Sequence, residues 1–210
     1  MIPRESGSVA DPARVYVFDA LAAAVQAAAL AAPGVTITPR HPDAMISVRG
    51  DARDAAFVYT ASAAFGVHLP LVPNTTSGSE GMRALWLGPD EWLIVFENRG
   101  QTPFSSGESG NTEKGVCPLF VDVSHARALL RLSGSATRAV LAKVCPLDLD
   151  PRQFPVGACA QTAIAKVNAI LDHVEPDAFD LYCSRSYARS FWHAITEAAA
   201  EYGCNNARPS

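Results

Sequence analysis

The densest run of residues able to do chemistry is Asp122-Val123-Ser124-His125-Ala126-Arg127, which places an acid, a hydroxyl and an imidazole side by side directly after a strand-like stretch. Those three types would suit a Ser–His–Asp hydrolase. A triad, however, needs its members to converge from separate elements, with the serine exposed at a strained turn beside oxyanion donors. Neighbours on one strand end point in alternate directions, so Ser124 and His125 cannot meet productively. A turn held by side chain–backbone hydrogen bonds explains the same residues.

Other candidates give less. The five histidines (His41, His68, His125, His173, His193) show no i,i+4 pairing and share no helical face with a carboxylate, so a metal site is not indicated. His193, between Trp192 and Ala194, reads as a rim residue. Asp172-His173 could form an acid–base pair, but its place near a hairpin end favours a solvated turn. Ser133-Gly134-Ser135 follows a strand and opens a helix, where an anion could bind. With one glycine, helix capping accounts for it equally well. Cys117, Cys145, Cys159, Cys183 and Cys204 are odd in number, widely spaced and without a C-x-x-C pair. Their apolar neighbours suit small buried hydrophobes in a reducing compartment, Cys204 being the most exposed. The expectation is that this chain carries no catalytic, cofactor-binding or metal-binding residue.

The bulk properties agree. A chain of 210 residues, 49% hydrophobic and 18% charged, can bury a sizeable core. Its formal net charge is −4 and its 17 basic residues are scattered singly, which leaves no footprint for a phosphate backbone. Val15 to Ala32 is mostly alanine, interrupted by Asp19 and Gln26, and follows a mixed-charge leader. It resembles neither a secretory signal nor a membrane span. A soluble, cytoplasmic protein that meets neither nucleic acid nor membrane is expected.

Residues 1–34 read as a frayed start and an alanine-rich helix from Phe18 to Ala32, ended by Pro33-Gly34. Its apolar face is thin, so it is expected to lie against a partner. A first α+β unit, 35–97, holds strands at Val35–Thr38 and Met45–Val48. A helix capped by Gly50-Asp51 follows and runs to Phe65, with Ala55, Tyr59, Ala63 and Gly66 on one face. After a polar turn come strands at Arg83–Leu87 and Trp92–Glu97. Residues 98–115 are rich in Gly, Ser and charge and read as a flexible loop without the strand-to-helix setting of a phosphate cradle.

A second unit, 116–203, holds strands at Leu119–Val123 and Ala128–Leu132, then a helix capped by Gly134-Ser135 and stopped by Cys145-Pro146. A hairpin at Ala160–Lys166 and Ala169–Val174 follows, then a strand at Phe179–Cys183. The final helix, Ser186 to Tyr202, carries Tyr187, Phe191, Ala194, Ile195, Ala198, Ala199 and Tyr202 on a core face. Residues 204–210 form a tail. The units echo each other: Ile46–Asp51 answers Leu130–Ser135, and Arg83–Leu87 answers Ala178–Tyr182. The fold class expected is α+β, with two similar strand–helix–strand–strand halves whose antiparallel sheets pack together.

Taken in order, several segments resemble the gamma-subunit family of heterotetrameric sarcosine oxidases. They are Arg83–Leu93, Asp122–Arg127, Cys145–Leu149, Gly157–Thr162, and Phe179–Tyr182 with Arg185–Ala188. The likeness spans roughly residues 35–203 and extends to the folate-binding domain of the aminomethyltransferases of glycine cleavage. There a hairpin carries a Gly-Gly pair and two adjacent acids. Here the corresponding stretch resembles Asn168-Ala169-Ile170-Leu171-Asp172-His173, in which the glycines are lost and His173 replaces one acid. A tight turn at Asn168-Ala169 would be strained.

The resemblance implies an aminomethyltransferase folate-binding-domain-like fold and a non-catalytic subunit docked on alpha, beta and delta partners. The enzyme as a whole would oxidatively demethylate sarcosine to glycine and pass the methyl carbon to tetrahydrofolate. FAD, FMN, NAD, tetrahydrofolate and zinc are implied for the partner subunits and none for this chain. The exposed patch of such a subunit is expected on the N-terminal helix and on the outer sides of Trp86 and Trp92. The alternative is a free-standing folate-binding or aminomethyl-transfer protein.

Overall fold

The computed structural model describes residues 16–24, 34–79, 81–97 and 119–206. Helix α1 (Val17–Ala24) leads to strands β1 (Val35–Arg40) and β2 (Ala44–Arg49) and helix α2 (Ala55–Phe65). Strands β3 (Thr76–Ser79), β4 (Met82–Gly88) and β5 (Glu91–Phe96) follow. Then come β6 (Leu119–Asp122), β7 (Arg127–Ser133) and α3 (Thr137–Val144). The chain continues through β8 (Cys159–Ile164), β9 (Val167–Glu175), β10 (Ala178–Ser184), α4 (Ala188–Ala199) and β11 (Cys204–Asn206).

One sheet runs β3-β4-β5-β2-β6 and the other β8-β9-β10-β7-β1-β11. All pairings are antiparallel except that of β11 with β1, where Val35 faces Cys204. The two orders are the same once β11 is set aside. In each unit a leading strand crosses to the other sheet: β1 pairs with β7, and β6 with β2. The sheets therefore do not follow the division of the sequence at 35–97 and 116–203. Each half completes the other.

Alternation along the strands sorts the core into three layers. Between the sheets, Met45, Leu85, Leu87, Leu93 and Val95 meet Leu129, Cys159, Ile170 and Tyr182. On the outer face of the first sheet, Ile46, Val48, Trp92, Ile94 and Phe96 take Phe57, Ala61 and Phe65 of α2. On the outer face of the second, Ile37, Leu130, Leu132, Leu171 and Leu181 take side chains of α1, α3 and α4. β5 and β10, covered on both faces, read as nearly unbroken apolar runs for that reason.

Several local expectations change. The cap of α2 is Asp54, whose carboxylate accepts from Ala56 N at 2.9 Å, and not Gly50-Asp51. Asp51 is occupied by an earlier turn onto Arg53 N. Gly50 is required because a Cβ there would lie 2.2 Å from the Phe57 ring. Ser135 does not cap α3. Gly134 serves backbone geometry instead, with φ at +124° and the Gly34 carbonyl 2.5 Å from where a Cβ would sit. The tight turn of the β8–β9 hairpin is at Ala165 and Lys166, with φ of 50° and 65°, which matches the strands' twist without glycine. Asn168-Ala169 lies within β9.

Tyr187 is 55% exposed in a short 3₁₀ turn ahead of α4, and does not join Phe191, Trp192, Ile195, Ala198 and Ala199 in the core. Trp92 is fully buried, its indole N–H donating to Pro70 O at 2.8 Å, so it offers no outer side. α1 packs on its own core: Phe18 is buried, with its ring 5.9 Å from Trp192, and Val17, Leu21 and Ala22 lie alongside. Residues 25–32 of the expected helix, the 98–115 loop and Cys117 fall outside the described residues. Cys145, Cys159 and Cys183 are buried free thiols and Cys204 is half-buried.

The duplication is offset from the sequence reading by one strand. β2–α2 does match β7–α3, but β4 takes the place of β9, and the counterpart of β10 is β5. The offset comes from β3, whose Thr-Ser-Gly-Ser looks like a turn and is a strand only through its pairing with β4. β11, expected as tail, is likewise a strand by virtue of β1 beside it.

Phe191→Ala should lower stability by about 3–5 kcal/mol in thermal or urea unfolding, because it empties a fully enclosed site. Tyr187→Ala should change it by less than about 0.5 kcal/mol.

Candidate functional site

The Asp122–Arg127 motif forms the turn between β6 and β7. Asp122 Oδ1 accepts from Ser124 N at 2.8 Å and from Ser124 Oγ at 2.5 Å. Ser124 Oγ in turn accepts from Met45 N at 2.8 Å, and Val123 N donates to Met45 O. The turn is thereby stitched to β2. With its proton given to Asp122 and a lone pair taken by Met45, the hydroxyl is not presented as a nucleophile. His125 is exposed in the same turn, so the two residues sit on a turn and not on the strand end that the sequence suggested.

Beside the turn lies a cavity of about 40 Å³ bordered by Arg40, His41, Ser124, His125, Arg127 and Arg185. That is room for roughly three water molecules. Its charges are largely answered locally. His41 Nε2 is 2.8 Å from Asp19 Oδ1, at ion-pair distance though off the line of a directed hydrogen bond. This carboxylate was not evident from the sequence, because it comes from α1 while His41 follows β1. Arg40 pairs with Glu97 at 2.9 Å. Burial pulls the Arg127 guanidinium below its ordinary pKa, partly offset by the Glu91 charge.

The second polar cluster lies between the sheets. Across the second sheet, Arg131 faces Asp180 and Asp180 faces Asp172 in register. Arg131 binds Asp180 through two hydrogen bonds of 2.7 Å. Asp172 is bound the same way, at 2.7 and 2.6 Å, by Arg83 reaching over from β4 of the other sheet. The Asp180 contact pushes the Arg131 pKa up against the opposing effect of burial. For Arg83 burial opposes, yet the Asp172 carboxylate still leaves the pKa raised. Burial raises Asp172 to about 6 despite Arg83. Cys159 and Cys183 are pushed by burial to about 12, which makes them inert thiols at neutral pH. Tyr182 is wholly enclosed here, and its hydroxyl has no hydrogen-bond partner among the described residues.

Asp172 and His173 thus correct the expectation of a solvated turn: both are buried inside β9. Nor are they an acid–base pair, since adjacent strand residues take opposite faces. His173 points to the helix side, stacked on Phe179 with centroids 4.3 Å apart. Its Nε2 lies 3.2 Å from Arg138 Nη2 and its Nδ1 2.9 Å from Phe154 O. Because Arg138 can only donate, Nε2 accepts and Nδ1 donates to the carbonyl. Among the described residues no group of three or more His, Cys, Asp or Glu could hold a metal ion, and no helix is long and apolar enough to cross a membrane.

The sequence profile of the sarcosine oxidase, gamma subunit family matches residues 49–201. The chain belongs to that family. It is 32% identical to sarcosine oxidase subunit gamma of Corynebacterium sp. (strain U-96) over 67% of this chain and 68% of that one. It is 37% identical to the Arthrobacter sp. subunit over 60% and 59% of the two chains. A chain of the heterotetrameric sarcosine oxidase from Corynebacterium sp. U-96 superimposes with a TM-score of 0.73 at 28% identity. That match covers 87% of this chain and 93% of the other. The fold also matches the glycine cleavage aminomethyltransferase T of Bartonella henselae, with a TM-score of 0.54 at 14% identity, over 83% of this chain and 48% of that one. The aminomethyltransferase of Geobacillus thermodenitrificans (strain NG80-2) is 36% identical over 55% of this chain, but the match spans only 32% of that protein.

Two outcomes check this description. Tyr182→Phe removes a buried unpartnered hydroxyl and should leave stability unchanged or raise it by up to about 1 kcal/mol in urea unfolding. For Asp172, the folded chain keeps the proton up to about pH 6, whereas the unfolded chain releases it near its ordinary value of 3.8. Its contribution is therefore full below about pH 4 and is lost as pH rises through 6, with at most about 3 kcal/mol at stake. Asp172→Asn should flatten that part of the stability–pH curve.

Proposed function

We propose that this chain is a non-catalytic structural subunit of a heterotetrameric, sarcosine-oxidase-type enzyme. In this reading alpha, beta and delta subunits are its partners. They hold FAD, FMN, NAD, zinc and tetrahydrofolate, demethylate sarcosine to glycine oxidatively and pass the methyl carbon to tetrahydrofolate in the cytoplasm. Membership of the gamma-subunit family supports the assembly. The observation that supports the non-catalytic role is the state of Ser124: its proton goes to Asp122 and it accepts from Met45 N, so the one motif with hydrolase-like composition is spent on holding a turn.

The likeness to aminomethyltransferases favours a second reading, a free-standing folate-binding protein. Titration calorimetry of the full chain with tetrahydrofolate separates the two. The subunit reading expects no heat of binding, and tight binding abolished by Asp172→Ala would favour the other.

In the assembled complex, Ser124→Ala and His125→Ala should each leave turnover within about twofold of wild type. Loss of about a thousandfold with assembly intact would refute the non-catalytic role.

A further inference from the structure

Among the described residues five arginines are half-buried: Arg40, Arg83, Arg127, Arg131 and Arg138. Four of them hold an acceptor. Arg40 binds Glu97 at 2.9 Å, Arg83 binds Asp172 at 2.6 Å, Arg131 binds Asp180 at 2.7 Å, and Arg138 binds Leu149 O at 2.6 Å. Arg127 is the exception, since no described residue accepts a hydrogen bond from its guanidinium. A guanidinium can only donate, and withdrawing it from water without an acceptor is costly. Burial accordingly pulls its pKa down. This donor borders the cavity beside the Asp122–Arg127 turn. Pairing across neighbouring strands builds the place. Arg40 of β1 lies opposite Leu129 of β7, Arg127 lies opposite Ser184 of β10, and Arg185 N donates to Ala126 O at 2.9 Å. His41 follows Arg40, with its ring centroid 3.7 Å from that of Tyr16 and both nitrogens enclosed without a directed hydrogen bond.

We propose that this cavity binds a single carboxylate, held by the fork of Arg127 with His41 and Arg185 at its edge. A planar guanidinium matches a carboxylate through two parallel hydrogen bonds, the geometry this chain itself uses at Arg83 and Arg131. Charge and size narrow the ligand. Glu97 answers Arg40 at 2.9 Å and Asp19 stands 2.8 Å from His41. Arg127 then adds one positive charge that no described acid touches, which suits a monoanion better than a phosphate dianion. Room for roughly three water molecules takes one carboxylate group. The carboxylate belongs either to a small free acid or to an acidic side chain of another chain, and its chemistry at Arg127 is the same in both. The site stands whether or not this chain is a subunit, since every group named belongs to it.

The test exchanges sodium acetate for sodium chloride at constant ionic strength around the purified full-length chain. Acetate at about 100 mM should raise Tm by at least about 2 °C, and Arg127→Gln should abolish the rise. A second readout needs no variant: acetate should slow phenylglyoxal modification of Arg127, mapped by peptide mass, at least about threefold. Arg152, exposed on the surface, should be modified at the same rate in both salts. Equal Tm or equal Arg127 labelling in the two salts would overturn the site, as would a rise in Tm that survives Arg127→Gln. A larger rise with inorganic phosphate than with acetate would overturn the choice of a carboxylate. The same labelling in the co-purified complex separates the two sources. Protection of Arg127 that needs added acetate assigns a free acid. Protection without acetate, relative to the free chain, assigns an acidic side chain of a neighbouring chain.

Discussion

Arg83 crosses from one sheet to clasp Asp172 in the other, and the layer around that contact sets what the protein can be. Each sheet is completed by a strand from the other unit, so neither can settle until the two inner faces agree. Those faces carry Arg83, Arg131, Asp172 and Asp180 among Leu85, Leu93, Ile170 and Tyr182. A slip of one residue in β9 or β10 would turn an aspartate toward the helices and leave a guanidinium unpaired, at a cost of several kcal/mol. The ion pairs add little net stability compared with an apolar layer, but they make every other register expensive.

The same saturation engages the polar groups of both clusters with one another. Arg83 and Arg131 hold Asp172 and Asp180 in bidentate pairs, burial raises the Cys159 and Cys183 thiols, and Ser124 is tied at both ends. Membership of the gamma-subunit family fits a chain that contributes surface.

The amino-acid sequence made much of this legible, and the failures share a physical cause. Elements with their own periodic signal were readable, β4, β5 and β10 within one residue at each end and α4 within three. β3 and β11 were not, because Thr-Ser-Gly-Ser and Cys-Asn-Asn have no apolar alternation and become strands only by pairing with a neighbour far away in the chain. The turn at Ser124 was legible, because Asp and Ser at that spacing hold a turn through side chain–backbone bonds. The burial of Asp172 and His173 did not, since their partners Arg83 and Arg138 lie 89 and 35 residues distant. Asp172 sits in Ala-Ile-Leu-Asp-His-Val, and that apolar setting was the available sign of burial. α1 was misjudged because alanine density hid Phe18, a single large side chain that decides where the helix docks. Trp92 was misjudged in the opposite sense, as its register beneath α2 depends on sheet order.

The most direct measurement is the pH profile of kcat/KM for the assembled enzyme, recorded with the wild-type chain and with His125→Gln/Asp172→Asn. Titrating groups that take part in turnover shape such a profile. If this chain supplies only structure, the two curves superimpose once scaled to the amount of assembled complex. Loss of an acidic or basic limb in the substituted complex would mean that a side chain of this subunit handles a proton in the reaction.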